Sequence, residues 1–315
     1  MTDRTTHHLT GEAGITRAAE LLRVGEVIAF PTETVYGLGG DATNADAVAR
    51  IYEAKRRPSF NPLIVHVPSL EEALRLAAFP PWAERLASAF WPGAMTLVLP
   101  SRNVLPDIVS AGNLTLALRV PAHPLATSLL EAAGRPIAAP SANLSGRVSP
   151  TTAAHVLDGL DGRIAAVLDG GPTTVGLEST IIGGPEPTLL RPGGIPVDAI
   201  ETALGQDLAA PPPAPANAPT APGQLSSHYA PGVALRLDVT HPAPGETHLG
   251  FGPVAGDTTL SASGDLVEAA ARLFAALREL DTAGNPVAVA PIPETGLGQA
   301  INDRLRRAAA PRDTS

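Results

Sequence analysis

The chain has no cysteine. Disulfide bonds and thiolate-bound metals are therefore excluded, and nothing indicates an oxidising compartment. Aromatic residues make up only 3% of the chain, which leaves few rings on which the bases of a single-stranded nucleic acid could stack. These shortages argue against a fold held by disulfides or cysteine-bound zinc, and against an aromatic surface for single strands.

Basic residues and long apolar runs are also scarce. The formal net charge is −9 and the isoelectric point is about 5.3, so any phosphate chemistry must depend on local basic clusters and not on a broad basic surface. No apolar run approaches the roughly 20 residues that span a bilayer, and the N-terminal MTDRTTHHLT lacks a signal-peptide core. We therefore expect a cytoplasmic protein with no membrane attachment and no stable binding to nucleic acid.

The length and one low-complexity stretch predict two domains. The chain has 315 residues, and a domain takes roughly 150. Ala209–Pro222, AAPPPAPANAPTAP, has no apolar periodicity and is typical of a semi-rigid linker. We predict domains at 1–208 and 233–315, with the interdomain segment 209–232 between them.

Val27–His66 is the stretch around which the first domain is organised. It predicts a strand at Val27–Phe30, then a turn carrying hydroxyls, Gly37 and Gly39. Next comes a helix that Asn44 or Asp46 can cap and that ends on Lys55-Arg56-Arg57, because Pro58 forbids its continuation. A second strand follows at Leu63–Val67 and carries His66. The three cations are either a solvated basic helix end or an anion site, and in the second case they would meet the hydroxyls where two strands end.

Three later segments show the same sequence pattern, a predicted strand next to a polar turn. Thr115–Val120 ends in Arg119, which is either a surface ion pair or a fork for a carboxylate or phosphate. Pro140–Gly146, PSANLSG, is a small-residue loop that on its own resembles an ordinary turn. Thr173–Ile182 contains Glu178, which is either a structural partner of an arginine or a ligand contact, and Arg191 ends a further strand.

Helix signals complete the expected α/β pattern. Ser69 caps a helix at Leu70–Ala78, and a second helix covers Pro81–Phe90. A helix starts at Ser149-Pro150-Thr151, and the last helix of the first domain begins at Val197. The second domain reads as strands at Val233–Val239, Thr247–Phe251 and Val287–Ala290, a helix at Leu266–Leu280, and a closing basic helix after GLGQ.

Four separated motifs together carry a family resemblance. PTETVYGLG, AKRRPSFNPLIVH, PSANLSG and ESTII, in this order, resemble the YrdC-like threonylcarbamoyl-AMP synthases. That family shares a K-x-R…S-x-N signature, which Lys55, Arg57, Ser141 and Asn143 match. The resemblance covers about the first two thirds of the chain and continues more thinly to its end. HYAP at His228–Pro231 is similar to a motif of the longer members, whose interdomain segment folds back over the nucleotide site.

The resemblance implies a fold and a reaction. The fold is α/β, with a YrdC-like twisted open sheet and flanking helices, then the Pro-rich linker acting as a lid, then a small Rossmann-like α/β domain. The reaction is the synthesis of L-threonylcarbamoyl-AMP from L-threonine, bicarbonate and ATP, with release of pyrophosphate, for threonylcarbamoyladenosine modification of tRNA. A downstream tRNA threonylcarbamoyl transferase complex is the implied partner.

The resemblance also assigns site residues. Those implied in catalysis are Lys55, Arg57, Ser141 and Asn143. Those implied in threonine binding are Thr32, His66, Arg119 and Ser179. Those implied in ATP binding are Lys55, Arg57, Asn61, Thr115, Ser141, Asn143, Ser149, Arg191 and Tyr229. Magnesium is expected on the ATP phosphates with no protein side chain as ligand, because the motifs contain no carboxylate cluster, and no organic cofactor is expected.

Two other functions compete with this one. Related domains have a concave basic groove that suits a module binding structured RNA without catalysis, but here the basic residues outside Lys55–Arg57 and Arg304–Arg307 are dispersed. A carbamoyl transferase of the hydrogenase-maturation type would need zinc fingers, and the absence of cysteine excludes it.

Overall fold

The computed structural model describes residues 5–58, 61–209 and 229–311. Most of the predicted lid, including His228, and Ser59-Phe60 of the second motif lie outside these residues. No helix among the described residues is long and apolar enough to cross a membrane.

The described part of the first 209 residues forms one mixed sheet with helices around it. Its strands, in the order in which they lie side by side, are β1 (His7–Leu9), β8 (Ala166–Leu168), β2 (Ile28–Phe30), β3 (Gly37–Asp41), β7 (Ile137–Ala138), β4 (Ile64–His66), β6 (Thr115–Arg119), β5 (Met95–Pro100), β9 (Thr180–Gly183) and β10 (Thr188–Arg191). Its helices are α1 (Gly11–Arg23), α2 (Ala45–Lys55), α3 (Leu70–Leu76), α4 (Pro81–Phe90), α5 (Asp107–Ser110), α6 (Pro124–Ala133), α7 (Ala153–Leu160) and α8 (Val197–Leu204).

The second sheet is smaller and parallel. Its strands lie in the order β11 (Leu235–Arg236), β14 (Val287–Val289), β12 (Thr247–Gly250) and β13 (Thr258–Thr259). It packs with α9 (Leu266–Ala283) and α10 (Gly298–Ala309). The α/β class with a large sheet and a second small α/β unit is confirmed, whereas the exact domain boundaries remain predictions.

Helix starts follow the predicted caps with one exception. The Asn44 side chain accepts the backbone N–H groups of Asp46 and Ala47, so Asn44 is the cap of α2. Ser69 likewise caps α3 by accepting the N–H of Glu72. The helix expected from Ser149-Pro150-Thr151 begins later, at Ala153, because it is Thr152 that accepts an N–H of the first turn.

The predicted turn after the first strand was wrong in its second half. Gly37–Asp41 is strand β3, which pairs antiparallel with β2. Glycine is needed in this strand because neighbouring side chains approach its backbone closely, and not because the chain turns there. A Cβ at Gly39 would lie 2.8 Å from Phe30 and 2.9 Å from Ile137. The absence of side chains lets these two neighbours pack over the strand.

Several hydrophobic clusters cover the sheets, and one of them joins the two units. The largest lies between one face of the ten-stranded sheet and helices that include α2, α3 and α4. A second contains the core of the small sheet, with α9 and α10, and also takes in Val35, Val148 and Leu177 from loops of the first unit. Burial of these three side chains anchors those loops on the second unit.

Candidate active site

A pocket in the first unit collects most of the predicted site residues. Of these it is lined by Thr32, Arg57, His66, Arg119, Ser141, Ser179, Arg191 and Tyr229. Residues not assigned as ligands also line it: Thr34, Val35, Gly37, Ile64, Ala139 and Pro140. Glu178, whose role the sequence left open between an arginine partner and a ligand contact, lines it too. Most of these additions belong to the same motifs, so motif membership was the signal that could have identified them.

The pocket extends over a face of the sheet as well as its edge. Ile64 and His66 are two residues apart in β4, therefore point to the same face, and both line the pocket. The expected position at the ends of two strands is thus only part of the site. The reason is that three successive antiparallel pairings, β2 with β3, β3 with β7 and β7 with β4, make β2 and β4 run in opposite directions. The carboxyl ends of these two predicted strands therefore do not meet at one edge.

The hydroxyls after β2 form a closed local turn. The Thr32 hydroxyl donates to the Val35 carbonyl at 2.7 Å and accepts the backbone N–H groups of Thr34 and Val35. It also lies 2.8 Å from the Thr34 hydroxyl. These bonds fix the two hydroxyls in place before any ligand arrives.

Arg119 is a buried group, so its interpretation as a surface ion pair is wrong. Its side chain is 4% exposed, and Nη2 donates to Oε1 of Glu33 at 2.6 Å. Nε donates to the Gly93 carbonyl at 3.2 Å, and the second oxygen of Glu33 accepts the backbone N–H of Ala122. The guanidinium is therefore held on one side, while Nη1 has no hydrogen-bond partner among the described residues.

His66 lies beside Arg119 in register between β4 and β6. Burial and the positive charge of Arg119 lower the pKa of His66 to about 3, so the ring is neutral at physiological pH. Its Nδ1 is buried without a partner among the described residues, and the Phe30 ring meets its ring edge-on at 6.0 Å. A neutral imidazole with one unused nitrogen can accept or donate a hydrogen bond to a ligand.

The cations after α2 are buried, so the solvated helix end is also wrong for two of them. Lys55 is 1% exposed and Arg57 is 9% exposed. The Lys55 ammonium donates to the carbonyls of Ser141 and Asn143 at 2.5 and 2.6 Å, and burial lowers its pKa well below the usual value, followed by the charge of Arg57. Lys55 thereby ties α2 to the PSANLSG loop, and its substitution would disturb the fold as well as the site.

Arg57 reaches the pocket directly. It is held by the carbonyls of Asn61 and Pro62 at 3.3 and 3.1 Å. Burial is the main cause that lowers its pKa to about 10, and the group remains protonated near neutral pH. Both polar atoms of the Asn61 side chain are buried without a partner among the described residues, although Asn61 itself does not line the pocket.

The structure places three further predicted ATP residues away from the lining. The Asn143 amide donates to the carbonyls of Leu144 and Arg147, and the Ser149 hydroxyl donates to Glu178. Thr115 begins β6, the strand that Arg119 ends, so four residues of extended chain, about 13 Å, separate the two. Their roles in ATP binding remain predictions.

Arg191 and Ser179 form one unit at the other side of the pocket. Nη2 of Arg191 donates to the carbonyl of Ser179 at 2.8 Å and to its hydroxyl at 3.3 Å. The Ser179 hydroxyl also lies 2.7 Å from that of Thr96 in β5. A third buried guanidinium, after those of Arg119 and Arg57, is therefore fixed next to a hydroxyl that lines the pocket.

Glu178 has the structural partner that the sequence left open, and it also lines the pocket. Oε2 accepts from Nε of Arg304 in α10 at 2.9 Å, and Oε1 accepts from the Ser149 hydroxyl at 2.6 Å. Arg304 was not predicted as a site residue, because periodicity places it only in a basic helix. Tyr229 lines the pocket and also stacks on Phe274 of α9, with the ring centroids 5.6 Å apart.

The charges define what the pocket can bind. Three guanidinium groups, those of Arg57, Arg119 and Arg191, line it against the single carboxylate of Glu178, which is itself paired. The described residues include no group of three or more histidine, aspartate or glutamate side chains that could hold a metal. The arrangement suits a ligand with several negative charges, because buried guanidinium groups bind carboxylates and phosphates through paired hydrogen bonds.

Comparisons with known proteins agree with this geometry. The Sua5/YciO/YrdC family model, described as telomere recombination, matches residues 20–193. A model described as the C-terminal domain of threonylcarbamoyl-AMP synthase matches residues 195–310. The threonylcarbamoyl-AMP synthase of Pyrococcus abyssi is 42% identical, with 93% of each chain covered. That of Bacillus subtilis is 44% identical, with 96% of this chain and 95% of the relative covered.

Two solved structures extend the comparison. The crystal structure of Pyrococcus abyssi Sua5 complexed with L-threonine has a TM-score of 0.89 at 40% identity, covering 96% of this chain and 97% of that one. The structure of Escherichia coli YciO has a TM-score of 0.55 at 25% identity, covering 60% of this chain and 96% of that one. The first likeness includes both units of the fold, and the second covers a smaller share of the chain.

Proposed function

The chain belongs to the Sua5/YciO/YrdC family with the C-terminal domain of threonylcarbamoyl-AMP synthases, and from this membership we infer that it makes L-threonylcarbamoyl-AMP. It is a nucleotidyltransferase that uses L-threonine, bicarbonate and ATP and releases pyrophosphate. Two relatives that match nearly its whole length carry this name. The observation that carries the proposal at the site is the set of three buried guanidinium groups around one pocket.

Arg119 is the proposed partner of the threonine carboxylate. Glu33 and Gly93 hold its guanidinium on one side, so the Nη1 side can receive a carboxylate without reorganisation. The Thr32 and Ser179 hydroxyls and the neutral His66 are the proposed contacts of the amine and side-chain hydroxyl. The crystal structure of the Pyrococcus abyssi relative with L-threonine supports this class of ligand.

Arg57 and Arg191 are the proposed partners of the ATP phosphates. Negative charge develops on the α-phosphate and on pyrophosphate during transfer, and fixed buried cations stabilise that charge. Lys55 acts through the PSANLSG loop, since its ammonium is bound to two carbonyls of that loop. Magnesium enters with ATP as part of the substrate, held by phosphate oxygens and water, because the described side chains offer no cluster for it.

The chemistry requires no covalent intermediate on the protein. The threonine amine attacks the carbon of bicarbonate, a C–N bond forms, and water leaves to give a carbamate. A carbamate oxygen then attacks the α-phosphorus, the bond to the bridging oxygen of the β-phosphate breaks, and pyrophosphate leaves. The protein's contribution is therefore positioning and charge stabilisation.

The setting of the reaction is also part of the proposal. A mixed anhydride of carbamate and phosphate hydrolyses readily, so a tRNA threonylcarbamoyl transferase complex must consume it quickly. A cytoplasmic location follows from that coupling to tRNA modification. Tyr229 belongs to the described part of the predicted lid, and its burial over the pocket would keep water from the product.

Pyrophosphate release tests the proposed function directly. We expect release from ATP only when L-threonine, bicarbonate and magnesium are all present, and chelation of magnesium should stop it. Release of phosphate instead of pyrophosphate, or release that ignores threonine, would refute the proposal.

A further inference from the structure

Arg304 connects the second unit to several segments of the pocket. Its side chain is 0% exposed, and Nε donates to Oε2 of Glu178 at 2.9 Å. Nη1 donates to the carbonyl of Pro192, the residue after Arg191, at 2.8 Å. The guanidinium carbon also lies 5.2 Å from the centre of the Tyr229 ring. One side chain of α10 thus contacts the loop before β9, the turn after β10 and the residue that covers the pocket.

Glu178 is the carboxylate that Arg304 pairs with and keeps ionised. Its carboxylate lines the pocket, and both of its oxygens are occupied, one by Arg304 and one by the Ser149 hydroxyl. Burial by itself raises the pKa of Glu178, but the charges of Arg304 and Arg191 and the hydrogen bonds from Ser149 and Arg304 outweigh it, so its pKa lies below the usual value. The carboxylate is therefore ionised at a place where a polyanion is to bind.

An ionised carboxylate in this pocket weakens the binding of ATP unless its charge is neutralised. Like charges repel strongly in a water-poor site. Arg304 offsets the charge of Glu178 from the second unit, while its Nη1 also donates to Oδ2 of Asp303 in the same helix at 2.8 Å. Arg304 also keeps a buried Nη2 without a partner among the described residues, which a purely structural ion pair rarely leaves.

We propose that Arg304 is a positioning residue of the nucleotide site: it neutralises Glu178 and holds it against Ser149, so that ATP binds only when the second unit is docked. The inference rests on the proposed function. Arg304 touches no reacting atom, and it acts through Glu178, Ser149 and Tyr229. The second unit thereby becomes part of the ATP site without supplying a catalytic group.

A double-mutant cycle on the full chain tests the proposal. The variants are Arg304→Met, Glu178→Gln and their combination, with pyrophosphate release followed at saturating threonine and bicarbonate. Arg304→Met should raise the KM for ATP by about tenfold or more, within the usual range of pairwise couplings. Glu178→Gln keeps an acceptor for Ser149 but removes the charge, so the double variant should return the KM for ATP to within about threefold of the parent. The KM for threonine should change less than that for ATP.

Arg306→Met is the matched control. Arg306 lies in the same helix and pairs with Glu294, but it is exposed and does not contact the pocket. It should leave both KM values and kcat unchanged. The proposal is overturned if Arg304→Met leaves the KM for ATP unchanged, or if Glu178→Gln fails to restore it and the two effects simply multiply.

Two further readouts keep the test decisive. If Arg304→Met does not fold, Arg304→Lys takes its place, because lysine keeps the charge but loses the planar fork. ATP affinity, measured by calorimetry, should then fall by less than the tenfold expected for Arg304→Met. Adding Glu178→Gln to Arg304→Lys should make this loss smaller. Equal losses for ATP and threonine in Arg304→Lys would reject the proposal. If the parent protein itself releases no pyrophosphate, the proposed function has failed, and calorimetry with ATP alone still judges the role of Arg304.

Discussion

At the residue scale, Arg119 shows how a buried ion pair can prepare a binding site. Replacing it by lysine keeps the charge but loses the planar fork, which an ammonium cannot reproduce on Glu33 and on a ligand carboxylate together. We predict that Arg119→Lys weakens threonine binding by about tenfold or more, about 1.4 kcal/mol, and ATP binding by less than about threefold. Calorimetric titration with each ligand measures this.

The control for Arg119 is Arg135→Lys. Arg135 also pairs with a buried carboxylate, that of Asp41, at 2.5 Å, but its own side chain is exposed and it does not line the pocket. It should leave threonine binding unchanged. Equal losses of threonine and ATP affinity in Arg119→Lys would contradict the assignment of Arg119 to the carboxylate.

His66 predicts a pH dependence of stability. Burial lowers its pKa from 6.5 to about 3 in the folded chain, so between these values the unfolded chain binds one more proton. Stability therefore falls as the pH falls through this window, by at most about 1.4 kcal/mol per pH unit. His66→Gln should remove this contribution, and denaturant unfolding between about pH 7 and about pH 5 should show a smaller loss in the variant, by about 2 kcal/mol. Parallel pH profiles for the two proteins would show that His66 titrates normally.

The motifs predicted the residues of the pocket better than their contacts. The predicted residues that line the pocket include Thr32, Arg57, Arg119, Ser179 and Arg191. What the sequence could not give is the pairing of these groups, because it depends on partners far away in the chain. The Glu178–Arg304 pair spans 126 positions, and no local pattern specifies such a distance.

At the element scale, the close packing over strand β3 leads to a prediction about stability. Gly39→Ala places a methyl group 2.8 Å from Phe30 and 2.9 Å from Ile137, so the variant should lose about 1–3 kcal/mol of unfolding free energy. Gly159→Ala in α7 is the control, since nothing lies within 4 Å of its Cβ position, and it should gain about 0.5 kcal/mol. Urea unfolding of both variants measures the difference, and the same sign for both would contradict the packing of β3.

Cap residues and apolar periodicity predicted most helices and the longer strands of the first unit. They failed where elements are short or depend on neighbours. The segments His7–Leu9, Asp107–Ser110 and Thr258–Thr259 were not predicted, because two to four residues carry too little periodicity. β3 was missed because glycine is a poor strand former unless bulky neighbours, here Phe30 and Ile137, need the space.

At the scale of the whole molecule, the second unit is part of the site. Val35, Val148 and Leu177 lie in its hydrophobic cluster, each next to a residue with a role at the pocket, respectively Thr34, Ser149 and Glu178. The Pro-rich stretch predicts where the chain divides, which stays a prediction, and Tyr229 of the HYAP motif lines the pocket. The sequence could not show that the docked unit also supplies Arg304, since that contact exists only after both units have folded.

The proposed reaction joins threonine, bicarbonate and the AMP part of ATP in one pocket. The most direct measurement is mass spectrometry of the products after incubating the protein with ATP, L-threonine and carbon-13 bicarbonate. We predict threonylcarbamoyl-AMP that contains the labelled carbon, together with one pyrophosphate for each molecule formed. Unlabelled threonyl-AMP, or AMP without any carbamoyl adduct while ATP is consumed, would contradict the account.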